Sequence, residues 1–182
     1  MMGNSKGKAS ESNTGQATST ELPVSNTAAK KVDPRLPFAT YRQQFNTVNA
    51  WKPLMRTLEK SAKENLIRFI NTYPHYKDCF PNAKNIEKED SMRASLEFGV
   101  DAMGAFQIFD DVMGNLEEVD VAIKKIRRTA KIGLMTLDMM KDMKVTFLET
   151  VAATLGDRWT DTTKENFTLL YDFVLEEYEK AL

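Results

Sequence analysis

Residues 73–81 read YPHYKDCFP and hold the only histidine of the chain, His75, and its only cysteine, Cys79. An imidazole and a thiol four residues apart can share a helical face, as in a Cys/His dyad or half of a metal site. Zinc-type sites need three or four ligands at suitable spacing, and no second His or Cys exists to help. No metal site is therefore expected. Neither an acidic residue nor an Asn is placed to orient His75 for acyl transfer, so no enzyme is expected. His75 reads as a surface or half-buried residue at a helix start. Cys79 reads as a small apolar side chain, with a redox-sensitive thiol as the alternative.

Other groups capable of chemistry lie elsewhere. Met135, Met139, Met140 and Met143 put four thioethers along one segment, able to fill a core or to ligate haem iron. Lys124, Lys125, Arg127, Arg128 and Lys131 are five cations within eight residues. They read as a solvated helix face, or as a patch that docks to anionic lipid or an acidic protein partner. Met2 to Lys8, MGNSKGK, is similar to an N-myristoylation start at Gly3 followed by basic residues. It departs from that pattern in having Gly7 where Ser or Thr belongs and an extra Met1, and it improves if translation starts at Met2. One acyl chain anchors weakly, so the basic helix would be a second signal.

The bulk properties narrow the setting. Net charge is −1 and the pI about 6.0, which gives no global attraction to nucleic acid. One cysteine excludes an internal disulfide and suits a reducing compartment. No apolar run approaches the ~18 residues of a membrane span, and the start has no secretory-type apolar core. A cytoplasmic protein is expected, with membrane association through the N-terminus if Gly3 is acylated.

Residues 1–36 are rich in Ser, Thr, Asn, Gly and Lys and lack aromatic residues. Such a stretch cannot bury enough apolar surface to offset its ordering entropy, so a disordered tail is expected. Residues 37–182 form the folded domain. Over 41–70, Trp51, Leu54, Met55, Leu58, Leu66, Ile67 and Ile70 fall at three- and four-residue spacings. Residues 88–113 read as one long helix with a wide apolar face, 117–131 as a shorter basic helix, and 134–155 as a Met-rich helix ending at Gly156. The last helix opens on a capping box at Thr162-Thr163-Lys164-Glu165. No alternating strand pattern, glycine-rich phosphate loop or internal repeat is present. The predicted fold is all-α, with about six to eight helices.

These landmarks, in this order, resemble the globin family from about residue 45 to 182, in the manner of nematode and neuroglobin-like single-domain members. Trp51 stands early in the first helix. Pro74 matches the proline that opens the globin C helix, and Phe80 the phenylalanine of the following corner. Leu66 matches the distal-side leucine of the B helix, and GDRWT at 156–160 the turn between the last two helices. The resemblance implies a haem pocket lined at Leu66, Phe80, Phe98, Asp101, Ala105, Ile126 and Ala130. It places Asp101 at the distal position through Phe98-Gly-Val-Asp101; a register aligning MGA at 103–105 puts Phe98 there instead. The proximal, iron-binding position falls on Ala130, with Thr129 one step away.

Neither register supplies a histidine. His75 opens the C helix, remote from the F helix, and an alanine methyl has no lone pair for iron. A carboxylate at Asp101, like the Asp110–Asp111 pair, is expected to face solvent or to pair with Lys124, Lys125 or Arg128, because burying it alone is costly. Two functional readings follow. In the first, a non-enzymatic globin-like sensory or interaction module has lost the iron ligand and needs no cofactor; side chains, or a small apolar ligand, fill its pocket. In the second, a divergent globin binds haem for gas sensing, oxygen binding or electron transfer through an atypical axial ligand such as a Met or Cys79.

Overall fold

A computed structural model describes residues 30–182. The remainder of the expected tail, and Gly3, lie outside the described residues. Among these residues there are seven α-helices and no strands: α1 Tyr41–Arg56, α2 Leu58–Thr72, α3 Glu89–Ala94, α4 Leu96–Met113, α5 Val119–Ile132, α6 Leu137–Leu155 and α7 Asp161–Glu179. Short 3-10 helices at Pro74–Cys79 and Gly156–Arg158 join α2 to α3 and α6 to α7. No helix among the described residues is long and apolar enough to cross a membrane.

Local chemistry sets the breaks. Pro53 lies in the last turn of α1, and the Thr57 hydroxyl bonds its carbonyl where the chain turns into α2. The single helix expected over 88–113 is two. Ser95 has an extended backbone, and its hydroxyl accepts the Phe98 N–H as an N-cap, which starts α4 afresh after α3. The expected capping box at Thr162–Glu165 lies inside α7. Thr160 is the cap, accepting the Thr163 N–H. Gly133, in the left-handed region with φ of 74°, ends α5.

The helices close on an aromatic centre. The Trp51 indole stacks on Phe106 and Phe147, Phe109 packs on Phe147 with centroids 4.2 Å apart, and Tyr171 closes against both phenylalanines. The indole N–H donates to Asp110 at 2.8 Å, so Asp110 is a structural partner of α1 and not a free carboxylate. Residues 30–36, placed in the tail by their composition, lie on the domain. Leu36 and Phe38 are buried, Lys30 pairs with Glu117 at 2.6 Å, and Arg35 bridges Asp33 and Asp120. The Arg35 guanidinium holds the Asp33 carboxyl down at about 2.

Two polar groups test this packing. Asn65, on α2, is fully buried, and neither its amide nitrogen nor its oxygen has a hydrogen-bond partner among the described residues. An unmade buried hydrogen bond costs about 1–3 kcal/mol. Asn65→Leu is therefore expected to raise the unfolding free energy in urea by about that amount; a loss would show that the amide has a partner in solution. Glu177, on α7, is nearly buried and receives Arg127 from α5 and Lys180 at 2.8 Å each. Burial alone would raise its carboxyl, but the hydrogen bonds from Lys180 and Arg127 outweigh it and hold the group below its ordinary 4.5. A depressed carboxyl contributes stability above its unfolded value and loses it as pH falls through the folded one. Thermal melts should fall on acidification below about pH 4.5, and more shallowly in Glu177→Gln; identical slopes would remove this group from the acid response.

Candidate functional site

The candidate crevice lies between α4 and α5, closed at one end by the corner after Pro74–Cys79 and floored by α6. Each wall follows from its helix. On α4, Phe98, Ala102, Ala105 and Phe109 turn inward at three- and four-residue steps. On α5, Ala122, Ile126 and Ala130 recur every four residues on the buried side while the cations occupy the other. Thr136 caps α6 by accepting the Met139 N–H, so Met139, Met140 and Met143 enter the core from the first turns.

Six of the seven positions expected to line a haem pocket are gathered into one continuous core. Leu66, Phe98 and Ile126 are fully covered, and Phe80, Ala105 and Ala130 keep 4, 3 and 1% of their surface. That covering comes from the chain's own atoms. Met135, Met139, Met140 and Met143 are buried with them. Leu134, just past Gly133, reaches across to α4: a β-carbon placed on Gly104 would lie 3.2 Å from the Leu134 Cδ1. The turn between α5 and α6 thus touches α4 directly.

Two tyrosines of α7 hold that turn. The Tyr178 hydroxyl donates to the Met135 carbonyl at 2.7 Å and the Tyr171 hydroxyl to the Met140 carbonyl at 2.6 Å, both buried. Burial pushes both phenols up, so each remains a donor across the neutral range.

Asp101 differs from the other six. It is half-buried, and its carboxylate accepts both the backbone N–H of Asn82 (2.7 Å) and the Asn82 side-chain amide (2.9 Å). The expected cationic partners are elsewhere. Lys125 pairs with Asp111 at 2.9 Å, Arg127 with Glu177, and neither Lys124 nor Arg128 reaches Asp101. The correction has a simple cause: the carboxylate faces the turn after Phe80, where the Asn82 backbone N–H and side-chain amide both donate to it. Nothing in the spacing of Asn82 announces this, because its partner is nineteen residues away and on another element.

His75 and Cys79 are both exposed, outside the crevice. The imidazole packs at a tilt against Tyr76, centroids 4.0 Å apart, and meets Tyr73 edge-on. Tyr76 in turn donates to Asp142 at 2.9 Å. Among the described residues no three His, Cys, Asp or Glu side chains come together as metal ligands. Leu134 and Asn82 are the residues that sequence reasoning missed. Leu134 carried one usable signal, an apolar residue directly after a helix-ending glycine.

Comparison with known proteins agrees with this architecture. No curated protein sequence matches the chain. Among solved structures it is similar to a hexacoordinated heme protein from an anhydrobiotic tardigrade, with a TM-score of 0.74 and 23% identity over 82% of this chain and 97% of that one. It is similar to the hemoglobin of the botfly Gasterophilus intestinalis, with a TM-score of 0.66 and 15% identity over 77% and 96%. A third is the neuroglobin of the photosymbiotic marine acoel Symsagittifera roscoffensis, with a TM-score of 0.62 and 16% identity over 78% and 97%. At these identities the likeness concerns the fold. The model of the globin family matches residues 63–178, most of the folded domain, and with that match the chain belongs to the globin family.

Proposed function

We propose that this globin is a non-enzymatic cytoplasmic sensory or interaction module that has given up the haem-iron ligand. The observation that carries the reading is Ala130. It stands at the position where the resemblance puts the iron-binding side chain, and it is 99% covered by protein. A methyl group offers iron no lone pair, and no neighbouring His replaces it, because His75 is exposed at the far corner. On the distal side, both carboxylate oxygens of Asp101 are committed to Asn82.

The residues present do not fit a haem. Admitting a porphyrin requires separating Leu134 from Gly104 and uncovering Ala105, Ile126 and Ala130. Exposed apolar surface costs about 25 cal/mol per Å2 before the porphyrin covers it again, and no axial bond to a histidine offsets the rearrangement. The interior is instead filled by its own side chains, the four methionines among them. Thioether chains are unbranched and adapt to irregular gaps, which suits a space that a flat cofactor no longer fills. A small apolar ligand would have to displace them.

The second reading, a divergent haem globin with an atypical axial ligand, is favoured by one feature. Met135 is buried and follows Ala130 by five residues, which puts a thioether in the core on the turn directly after α5. Cys79, the other candidate, is exposed. Titration of the purified full chain with haemin separates the two readings. The first expects only weak, broad absorption that is lost on gel filtration. A sharp Soret band at one haem per chain that survives gel filtration would overturn it.

A further inference from the structure

The five cations of α5 are not equivalent. Lys125 is turned toward α4 and paired with Asp111, and Arg127 toward α7 and paired with Glu177. Lys124, Arg128 and Lys131 are exposed and make no ion pair among the described residues. Together with Ile123 and Ile132 they line an open groove along the outer face of α5. Asp120, the acid at the head of this groove, is already engaged by Arg35. At the other end the chain leaves two large aliphatic side chains in solvent, Ile132 and Leu134, with 60% and 58% of their surfaces exposed.

A row of unneutralised cations on one helix face, ending in two exposed aliphatics, has no internal explanation. Leu134 covers Gly104 with one face only, and the cations brace nothing. Lys124, Arg128 and Lys131 span seven residues, about 10 Å of helix. We propose that this face docks on an anionic lipid bilayer, with Lys124, Arg128 and Lys131 at the headgroups and Ile132 and Leu134 dipping into the boundary below them. Long, flexible basic side chains satisfy a diffuse field of phosphates and carboxylates without fixed partners. An acidic protein surface supplies the charge as well, but the face lacks the aromatic anchors and enclosed pockets that carry binding at such interfaces. Lys30 on Glu117 and Arg35 on Asp120 lay residues 30–35 beside the start of α5. The inference does not depend on what fills the crevice.

The test is co-sedimentation of the full chain, produced without acylation, with vesicles of phosphatidylcholine alone and with one-third phosphatidylserine. Binding is expected only to the anionic vesicles, and it should be largely released on raising sodium chloride from about 0.1 to 0.5 M, where screening shortens to a few Å. Each basic residue near such a surface multiplies the partition coefficient about five-fold. The combined variant Lys124→Gln, Arg128→Gln, Lys131→Gln should therefore lose about 100-fold with an unchanged circular dichroism spectrum. Ile132→Ser with Leu134→Ser should weaken binding while leaving its salt dependence in place. Absence of binding to anionic vesicles, or binding unaffected by the glutamine substitutions, would overturn the proposal. Capture by poly-glutamate without vesicle binding would assign the face to an acidic protein and overturn it too.

Discussion

Contact between α4 and the turn that follows α5 is the constraint on which the rest of this globin depends. In a fold of this kind the two helices can stand apart with a flat cofactor between them or close on one another. Here they close. Gly133 takes the left-handed conformation that stops α5, Leu134 is thrown across onto Gly104, and Met135 drops into the core. The Tyr178 hydroxyl then ties the Met135 carbonyl to α7, and the Tyr171 hydroxyl ties Met140. A β-carbon at 104 would lie 3.2 Å from the Leu134 Cδ1, a tight contact that the half-exposed leucine relieves only by shifting.

The two faces of α5 divide its work. Its inner face, Ala122, Ile126 and Ala130, is apolar and small, so the helix can seat directly on the core. Its flanks are braced by charge, Lys125 to Asp111 on one side and Arg127 to Glu177 on the other. Among the cations of α5, Lys124, Arg128 and Lys131 remain unengaged within the described residues, which is what the proposed lipid contact rests on.

Much of the fold was legible from spacing. Pro74 and Phe80 marked the corner after α2, and apolar residues at helical intervals marked α4, α6 and α7. Local signals were less certain where two were near each other. Thr160 and Thr162 are both plausible caps, and only Thr160 has the extended backbone that lets its hydroxyl accept an N–H. Ser95 looks like an ordinary polar residue on a continuous helix until its cap to Phe98 is seen. Long-range polar pairing was not legible. The Asp101–Asn82 bonds and the Arg35–Asp120 bridge join residues that no periodicity relates. The packing of Leu36 was hidden by the polar composition before it. In the crevice, the identity of Ala130 could be read, but its burial in one core with the methionines could not, since that depends on how the helices pack.

The account's central claim is that α5 is held by side chains alone. Native-state hydrogen exchange on haem-free protein measures this directly, because it reports the opening free energy of each helix separately. Amides of residues 126–132 should be protected to nearly the level of α6 and α7, opening with the whole domain. If those amides exchange orders of magnitude faster than the α6 and α7 amides, α5 is a helix waiting for a missing cofactor, and the closed crevice is contradicted.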